Sequence, residues 1–574
     1  MLNYDNLRFD EASRTWRLKE HKSIAYSDGG RTERVLEQAF TSAGDLSSNS
    51  YELESWIQDW PTEYHLSRKR AQLVQALNFP RELTVLEVGA GCGAITRPLA
   101  ERFDHVISIE GNATRARLAR LRTEGLDNVV VSAPFQDVGL ASPVDLLYCI
   151  GVLEYSGAFI EGEADPYRSA LEKFASLLSP GGRLVLAIEN KFGLRYWQGL
   201  PEDHTQGRFD GLEGYLRRPG TAETFGYHGL RERLAEFFPH VEFFFPFPDY
   251  KMPRCVVSEE LMQHPAVGEL MGQLRARDYF ERTPKRNARR PDRRFVAPEL
   301  TADGLAHYLA DSFLVVAGKA EAPAGPSAAL ATLYSEGRRP DFQTVTTITR
   351  EHQGPLMVTK ELQSGLGGYD EGRLQNRKTE ELLVPGETLQ LLGLRAMARA
   401  GFHIDDLVPV VRRWVEFLAA SFDARPDAGG LPGSAIDCVP KNLVVDRDHG
   451  LHYIDREWEW SEPVSNKLVL IRGLFYLLGE SHDDGGAIGW RPTRSLRYYI
   501  TRLSRAAGID LTGGDFARFY RVEEEIRAVV YGSAHASVRF WTECPSPHAL
   551  RRGLLWARYV AALPGRVMGR LLRR

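Results

Sequence analysis

The chain is poor in cysteine, weakly charged overall and free of long apolar runs. Its 574 residues include five cysteines, none in a C-x-x-C pair, so neither a disulfide framework nor a cysteine zinc site is expected. The net charge of −4 is too small to indicate a nucleic-acid partner. No apolar run reaches the ~18 residues that cross a bilayer, and the polar N-terminal segment does not resemble a signal peptide. Together these absences predict a cytoplasmic protein.

Length and composition predict several globular domains. A chain of 574 residues exceeds the usual size of one domain, and an apolar fraction of 43% is enough for hydrophobic cores. Alternating strand and helix patterns indicate an α/β region, and residues 319–327 have linker composition. We expect a helical lead-in at 1–80, an α/β domain at 81–320 with an insertion at about 251–310, a mostly helical α+β domain at 321–550, and a tail at 551–574.

A glycine-rich turn follows the first strand of the α/β region. Residues 85–95, VLEVGAGCGAI, lead an apolar strand straight into this turn. Gly89 and Gly91 let the backbone approach a ligand closely, and Glu110, near the end of the next apolar run, is placed to bind two ribose hydroxyls. The pattern predicts a pocket for an adenosyl cofactor. Because Gly89, Gly91 and Ala94 also fit G-x-G-x-x-G/A, NAD is a competing ligand.

Two further features favour S-adenosylmethionine. Glu87 puts a carboxylate beside the turn, which suits the ammonium of a methionine group and would repel a pyrophosphate. Residues 177–186, LLSPGGRLVL, indicate a helix end, a Pro-Gly-Gly turn and a buried strand. With the apolar segment 145–155, these motifs resemble the class I S-adenosylmethionine-dependent methyltransferases. The resemblance implies a Rossmann-like α/β fold with a seven-stranded, mostly parallel sheet, whose antiparallel edge contains strands near 241–245 and 313–317.

The resemblance also implies which residues hold the cofactor. Glycines of the turn would line the methionine and ribose, and the residues after the fourth strand would pass near the methyl. Ala133 stands where this family often has an acid near the adenine. Asp137 is a candidate substitute, and capping of the following turn is its alternative role. The expected cofactor-binding residues are Glu87, Gly89, Gly91, Gly93, Glu110, Asp137, Ile150 and Gly151.

The loop after the fifth strand is the predicted acceptor region. Residues 189–215 carry aromatic and ionisable side chains without helical periodicity, and long ordered loops at this edge of a sheet are usually functional. His204 is the candidate general base, and Glu189 and Asp203 are the candidate catalytic carboxylates. The alternative is a histidine that only satisfies hydrogen bonds within the loop.

Three segments suggest a narrower family. Residues 60–67, 189–215 and 245–251 resemble methyltransferases found with bacterial surface-polysaccharide (O-antigen and rhamnan-type) assembly enzymes, with similarity from about 50 to 320. This resemblance implies O-methylation of a sugar in a surface glycan or its lipid-linked precursor, with glycosyltransferases as partners. A non-catalytic adaptor in a glycan-assembly complex is the alternative. Tyr64 and His65 would cover the cofactor or pack in the core.

The second half carries spacing typical of a kinase. Asp437 and Asn442 match the catalytic loop H-R-D-x-x-x-x-N, and Asp455 takes the place of the D-F-G aspartate. This resembles the protein-kinase-like and aminoglycoside-kinase-like fold. The resemblance implies that Lys360 is the strand lysine and that Asn442 and Asp455 hold Mg²⁺ on ATP phosphates.

The same region departs from the kinase pattern. Ala435 stands where the catalytic-loop histidine belongs, and no glycine-rich loop precedes Lys360. Glu380 or Glu381 is expected as the helix partner of that lysine. A bifunctional methyltransferase-kinase, a degenerate kinase fold and a helical domain with capping acids therefore all stay open.

Two basic segments complete the chain. Residues 275–294 contain nine Lys or Arg residues, and residues 551–574 contain seven arginines without an acid. The first is expected to be a solvated arm or to contact a phosphate-bearing acceptor. The second has the pattern of an amphipathic helix, which suits peripheral contact with anionic lipid at the inner face of the membrane; a frayed solvated helix is the alternative.

Overall fold

The computed structural model contains two compact units. Unit 1 comprises Met1–Ala288, Ala297–Tyr334 and Thr347–Gly354, and unit 2 comprises Arg289–Val296, Ser335–Thr346 and Pro355–Arg574. No helix in the described ranges is long and apolar enough to cross a membrane. The residues that the structure describes are 2–20, 24–160, 162–217, 222–264, 267–268, 291–319, 329–350, 354–365, 368–422, 430–480, 488, 490, 492–532 and 538–543.

Several sequence predictions lie outside the described residues. These are the linker at 320–327, residues 275–290 of the basic arm and the whole tail at 551–574. The predicted domain boundary near residue 320 also falls outside the described residues, so it stays a prediction. One helix, Arg293–Ala302, and one strand, Thr344–Arg350, contain residues at which the units divide.

Unit 1 is built on a mixed β-sheet. Seven of its strands follow the order β5-β4-β3-β6-β7-β10-β8, in which β5, β4, β3, β6 and β7 pair in parallel and β10 pairs antiparallel to both β7 and β8. This arrangement confirms the predicted Rossmann-like sheet. The strands of unit 1 are β1 (Leu7–Asp10), β2 (Thr15–Leu18), β3 (Thr84–Val88), β4 (His105–Glu110), β5 (Asn128–Ser132), β6 (Val144–Ile150), β7 (Leu178–Glu189), β8 (His240–Phe247), β9 (Cys255–Ser258), β10 (Ser312–Gly318) and β11 (Ala329–Tyr334).

The central strands are apolar because both faces of the sheet are covered. In β3, Val85, Leu86 and Val88 are at most 2% exposed, as expected for a parallel strand between helical layers. The helices of unit 1 are α1 (Gly30–Ser42), α2 (Tyr51–Glu54), α3 (Trp60–Leu66), α4 (Lys69–Gln75), α5 (Thr96–Arg102), α6 (Ala113–Arg122), α7 (Ser156–Phe159), α8 (Pro166–Leu177), α9 (Leu194–Trp197), α10 (Tyr227–Ala235) and α11 (Glu259–Met262), with 3₁₀ turns at Phe135–Asp137 and Leu153–Tyr155.

The lead-in is not wholly helical, which corrects the prediction for residues 1–80. Strands β1 and β2 form an antiparallel hairpin, and β2 pairs in parallel with β5 through Trp16 and Val131. The hairpin therefore extends the sheet beyond β5. Both strands are only four residues long, and strands this short carry too little periodic signal to be recognised.

Unit 2 combines short strands with a helical core. Strand β13 pairs with β16, while β14-β15-β20 and β17-β18-β19 form two small sheets. After α12 (Arg293–Ala302) and β12 (Thr344–Arg350), the elements are β13 (Leu356–Leu362), β14 (Gly368–Glu371), β15 (Leu374–Arg377), β16 (Thr379–Leu382), β17 (Glu387–Thr388), β18 (Leu443–Val445), β19 (Leu451–Tyr453), β20 (Trp458–Trp460), α13 (Leu389–Ala398), α14 (Val408–Ser421), α15 (Asn466–Glu480), α16 (Leu496–Ala506), α17 (Gly513–Tyr531) and α18 (Val538–Glu543), with 3₁₀ turns at Pro340–Phe342, Ile404–Leu407, Gly433–Asp437 and Pro440–Asn442.

A buried arginine connects three elements of unit 2. Arg472 in α15 is 1% exposed and donates through Nε to Glu523 Oε2 at 2.8 Å. Its Nη1 donates to Asp437 Oδ1 and, at 3.0 Å, to the Ile436 carbonyl oxygen. Because both carboxylates are buried, loss of the guanidinium would leave uncompensated negative charge in the core.

We predict that Arg472→Leu destabilises unit 2 by about 3–5 kcal/mol, the usual effect of removing one partner from a buried ion pair. Urea denaturation followed by circular dichroism measures the loss. The matched control is Arg505→Leu, because the Arg505–Asp510 pair has side chains 72% and 82% exposed and should contribute nothing measurable. Equal transitions in the two variants would contradict this assignment.

Candidate functional site

A cavity of about 320 Å³ opens at the carboxyl ends of β3, β4, β6 and β7. The chain runs from β3 to β4 on one side of β3 and later returns to β6 on the other side. Such a switch in strand order separates the loops that follow the strands and leaves a crevice between them. The cavity is lined by the glycine turn, by residues 24–28 of the N-terminal segment and by loops that follow β5, β6, β7 and β8.

The glycine turn adopts a backbone that favours glycine. Gly89 and Gly91 have φ angles of +80° and +57°, a region that other residues rarely adopt. A Cβ atom on Gly89 would come within 2.3 Å of Val152 Cγ2. The turn therefore depends on glycine both for its conformation and for its close approach to the loop after β6.

Glu110 is held in one orientation at the end of β4. Its Oε2 accepts a hydrogen bond from the Gly91 backbone N–H at 2.7 Å, and its Oε1 accepts from the Asn112 backbone N–H at 2.9 Å. The side chain lines the cavity and is 8% exposed. Each oxygen keeps acceptor capacity for one more donor, so a diol can bind across the carboxylate.

Glu87 is a second carboxyl group beside the turn. It is 2% exposed, and its Oε2 accepts from Thr96 Oγ1 at 2.7 Å. Burial raises the pKa of the Glu87 carboxyl to about 7. A cation bound beside it would favour the ionised form, so this group is suited to an ammonium.

The N-terminal segment covers the cavity through an ion pair that the sequence did not reveal. Asp28 Oδ2 lies 2.9 Å from His65 Nε2 and 3.0 Å from Arg115 Nη1. Although burial opposes it, the hydrogen bond from His65 and the charge of Arg115 lower the pKa of Asp28 to about 2. Tyr26 stacks under the Arg115 guanidinium, 4.8 Å from ring centroid to Cζ. No motif marks residues 24–28, because their position follows from packing on α3 and α6.

The opposite end of the cavity holds a cluster of Glu154, Glu189 and His204, here called the acid–histidine cluster. One carboxylate oxygen of each glutamate and one ring nitrogen of His204 lie within 4.8 Å of one another. His204 Nε2 is 3.4 Å from Glu189 Oε2, and His204 Nδ1 is 3.1 Å from Tyr155 Oη. Glu154 is 1% exposed, and its two carboxyl oxygens have no hydrogen-bond partner among the described residues.

Two cationic side chains lie beside the carboxylates of Glu189 and Asp203. Lys251 Nζ lies 2.5 Å from Glu189 Oε1 and 3.5 Å from Asp203 Oδ2. Arg195 Nη1 lies 3.8 Å from Asp203 Oδ2. Burial opposes ionisation of Glu189, but the charge of Lys251 holds the pKa of that carboxyl well below its usual range. Glu189 and Asp203 are therefore charged and held in place.

The environment of His204 favours its protonated form. Burial lowers the pKa of His204, but the Glu189 carboxylate outweighs this effect and raises it to about 9. The structure places His204 in the lining of the cavity, and its role as general base stays a prediction.

Most predicted site residues of unit 1 come together. Asp137 is exposed and is not among the described cavity-lining residues, whereas its neighbour Gln136 is. Gly93 packs beneath the turn, where a Cβ would come within 2.9 Å of Ala119 Cα. Those that line the cavity are Glu87, Gly89, Gly91, Glu110, Ile150, Gly151, Glu189, Asp203 and His204.

Several residues that line the cavity were not predicted from the sequence. Tyr250 and Lys251 follow β8, and Glu154 follows β6. A usable signal for all three was their position just after buried strands. The carboxyl ends of parallel strands meet at one edge of the sheet, so ionisable residues that follow these strands lie close together.

The residues with kinase spacing in unit 2 form two groups. Lys360 donates to Asp455 Oδ1 and, at 3.3 Å, to Glu457 Oε1. Asn442 Nδ2 donates to Asp437 Oδ2 at 2.8 Å. Asp437 also accepts from Arg472 and is 3% exposed. Both of its carboxylate oxygens are engaged, so Asp437 is not poised to accept a proton from an acceptor hydroxyl.

The predicted helix partner of Lys360 is corrected by the structure. Glu380 and Glu381 both lie on strand β16, which pairs with the strand of Lys360. Glu381 Oε1 accepts from the Asp455 backbone N–H at 2.7 Å. The resemblance to a kinase implies a helix here, whereas residues 379–382 form a strand whose side chains alternate between half-buried and exposed.

Comparison with known proteins identifies the type of domain. Residues 86–184 match a family model described as a methyltransferase domain. No curated protein matches this chain. The matched segment spans the glycine turn, Glu110 and the strands from β4 to most of β7. Together with the strand order, this match indicates a class I S-adenosylmethionine-dependent methyltransferase domain.

Several solved structures are similar to parts of the chain. N-methyltransferase NodS from Bradyrhizobium japonicum WM9, in complex with S-adenosyl-L-homocysteine, is 22% identical over 29% of this chain and 77% of that one, with a TM-score of 0.19. Cyclopropane synthase MmaA2 from Mycobacterium tuberculosis is 14% identical over 52% and 99%, with a TM-score of 0.26. Geranyl diphosphate C-methyltransferase from Streptomyces coelicolor A3(2) is 13% identical over 53% and 88%, with a TM-score of 0.26. With TM-scores this low, the fold assignment rests on the strand order alone.

We predict that Glu87→Gln stabilises unit 1 in a pH-dependent way. The pKa of Glu87 is raised to about 7 in the folded chain. The free energy of unfolding is therefore highest below the pKa of Glu87 in the unfolded chain, and it falls as the pH rises through about 7, because the buried carboxyl group then loses its proton. Glutamine stays neutral and still accepts from Thr96. The variant should match wild type near pH 5 and exceed it by about 2–3 kcal/mol at pH 8, measured by denaturant unfolding.

The control for this prediction is Glu82→Gln, which changes an exposed acid just before β3. Its difference from wild type should be the same at both pH values. A Glu87→Gln difference that does not grow between pH 5 and 8 would contradict the assigned state of Glu87.

Proposed function

We propose that unit 1 transfers a methyl group from S-adenosylmethionine to a hydroxyl of a sugar, in a surface glycan or its lipid-linked precursor. The observation that carries the proposal is one continuous cavity with two different ends. The glycine turn with Glu110 lies at one end, and the acid–histidine cluster lies at the other. A methyltransferase needs this arrangement, because donor and acceptor must meet in line.

The turn end fits the donor. Glu110 presents two anchored oxygens to the ribose hydroxyls, and Glu87 offers a carboxyl group to the methionine ammonium. Gln136, which lines the cavity after β5, replaces the acid that was expected near the adenine. When bound, S-adenosylmethionine supplies an electrophilic methyl on a positively charged sulfur. The protein contributes alignment and removal of water, since the side chains of Glu87 and Glu110 are almost fully buried.

The cluster end fits a hydroxyl acceptor. Glu154 has acceptor oxygens without a partner in the described structure, so it can receive a hydrogen bond from an incoming O–H. Tyr155, Glu189 and Lys251 surround the same space with ordered polar groups. Gly151 and Tyr250 both line the cavity, and they lie so close that a Cβ on Gly151 would come within 2.7 Å of Tyr250 Oη.

Aromatic rings at the mouth support a sugar rather than a small acceptor. Tyr26 and Phe159 line the cavity and yet are 38% and 41% exposed. Phe192, Trp197 and Phe209, in the segment that also carries His204, are 39–59% exposed. Exposed aromatic rings that line a polar cavity, as Tyr26 and Phe159 do, are typical of a binding face. A sugar offers both a flat apolar face and hydroxyls, which matches this combination.

The wider glycan setting rests on the sequence resemblance. Glycosyltransferase partners and contact of the basic tail with anionic lipid belong to this proposal. For phosphotransfer by unit 2 with Mg-ATP, the engagement of Asp437 by Arg472 and Asn442 is unfavourable. We therefore assign the enzymatic function to unit 1.

We predict that Glu110→Ala weakens binding of S-adenosylmethionine by about 10–100-fold, because hydrogen bonds to a charged group contribute roughly 1.5–3 kcal/mol. Isothermal titration calorimetry measures the affinity, and circular dichroism checks the fold. The matched control is Asp104→Ala, an exposed acid one residue before β4 that pairs with Arg81. An unchanged affinity in Glu110→Ala would overturn the ribose assignment, and tight binding of NAD in place of S-adenosylmethionine would overturn the proposed function.

We predict that the purified chain incorporates labelled methyl from S-adenosylmethionine into a surface-glycan fraction, and that Phe159→Ala raises the KM for the glycan without changing affinity for the donor. The reason is that Phe159 lines the cavity with its ring 6.3 Å from the ring of Tyr155, which faces His204. Scintillation counting of the glycan measures transfer. A chain that binds the donor but labels no glycan would support the adaptor alternative instead.

A further inference from the structure

We propose that Glu154, Glu189 and His204 bind one divalent transition-metal cation. The sequence motifs assign no metal to these three residues, and the magnesium that the kinase-like spacing predicts lies with Asn442 and Asp455 in unit 2. The site itself is independent of the proposed function, and only the role given to the cation below rests on it.

The spacing of the donor atoms suits a shared cation. One atom of each residue lies within 4.8 Å of the others, and His204 Nε2 is 3.4 Å from Glu189 Oε2. This separation is long for a hydrogen bond. Two ligands placed about 2.0–2.2 Å from one ion are roughly 3.0–3.5 Å apart at tetrahedral or octahedral angles. The pair is therefore close to the geometry of two neighbouring ligands.

Glu154 supplies the independent indication of a ligand. Its carboxyl group is 1% exposed, lines the cavity, and makes no hydrogen bond to any described residue. A buried carboxyl group without a partner destabilises a protein. Such a group is normally retained because something else satisfies it, and a cation satisfies Glu154 and Glu189 together.

The surrounding groups resemble the outer shell of a metal site. His204 Nδ1 faces Tyr155 Oη at 3.1 Å, so this nitrogen can donate while Nε2, which lies 3.4 Å from Glu189 Oε2, exchanges its proton for the cation. Glu189 Oε1 is held by Lys251 at 2.5 Å and by Tyr250 Oη at 3.3 Å, which leaves Oε2 directed at the cluster. Metal ligands are usually oriented by such hydrogen bonds through their second atom.

The donor set selects the type of cation. Two carboxylates and one imidazole suit Mn²⁺ or Zn²⁺ better than Ca²⁺ or Mg²⁺, which prefer sites made only of oxygen ligands. Three protein ligands leave at least one position open. In the proposed function, that position would take the oxygen of the acceptor hydroxyl, which a bound cation would orient and make more acidic. The oxygen–methyl bond then forms as the sulfur–methyl bond of the donor breaks, and the hydroxyl proton leaves to water.

A second group of metal-type residues in unit 1 does not make an equivalent site. Asp28, His65 and Cys92 also lie within 4.8 Å of one another. Asp28 is already paired with both His65 and the Arg115 guanidinium, and burial raises the pKa of the Cys92 thiol. A fixed cation therefore occupies the place where a metal would bind.

Calorimetric titration of the full, chelator-treated chain with Mn²⁺ and Zn²⁺ in turn tests the site. We expect one cation per chain for at least one of the two metals. Glu154→Gln, which is nearly isosteric, should weaken binding by at least about 100-fold, beyond the 10–100-fold typical of outer-shell changes. Tyr155→Phe, which removes only an outer hydrogen bond, should weaken it by about 10-fold.

Paired controls separate this site from the cofactor site. Glu154→Gln should keep wild-type affinity for S-adenosylmethionine, which also shows that it folds, whereas Glu110→Gln should lose that affinity and keep the cation. Asp28→Asn should keep the cation as well. No binding of either metal at millimolar concentration, or equal binding by wild type and Glu154→Gln, would overturn the proposal, as would loss of binding in Asp28→Asn. Cation binding without methyl transfer would overturn the proposed function alone.

Discussion

The structure of unit 1 depends on acidic side chains placed at the carboxyl ends of buried parallel strands. Glu87, Glu110 and Glu189 stand near or at the ends of β3, β4 and β7, where the strand order brings them to one edge. Each is stabilised differently: Glu110 by two backbone N–H groups, Glu189 by Lys251, and Glu87 mainly by remaining close to neutral. The edge is therefore a row of carboxyl groups that can accept hydrogen bonds from hydroxyls or bind cations.

Two of the carboxyl groups at this edge are poorly satisfied by the protein itself. Burial raises the pKa of Glu87 to about 7 and that of Glu154 to about 8, where the charge of Glu189 adds to the effect. Such groups lower the stability of a fold and persist where binding requires them. Their positions at opposite ends of one cavity match the two partners of a group transfer, one positively charged and one bearing a hydroxyl.

In unit 2, a sequence pattern typical of a kinase occurs where distant side chains occupy its aspartate. Asp437, Asn442 and Asp455 keep the spacing of a kinase catalytic loop, and Lys360 does reach Asp455. Arg472, from helix α15, nevertheless engages Asp437 and joins it to Glu523 of α17. Asp437 thus serves the packing of the core, because a partner distant in sequence determines whether an aspartate is available.

The amino-acid sequence alone determined the mostly parallel sheet with its antiparallel edge, the glycine turn and the acids near the ends of β3, β4 and β7. These are readable because apolar strands, glycine turns and strand-end acids are local patterns. The short hairpin of β1 and β2, the cover formed by Asp28, and the isolation of Glu154 were decided only by the tertiary structure. Each depends on which distant side chains pack together, and hydrogen bonding, burial and charge at such places are set by neighbours in space.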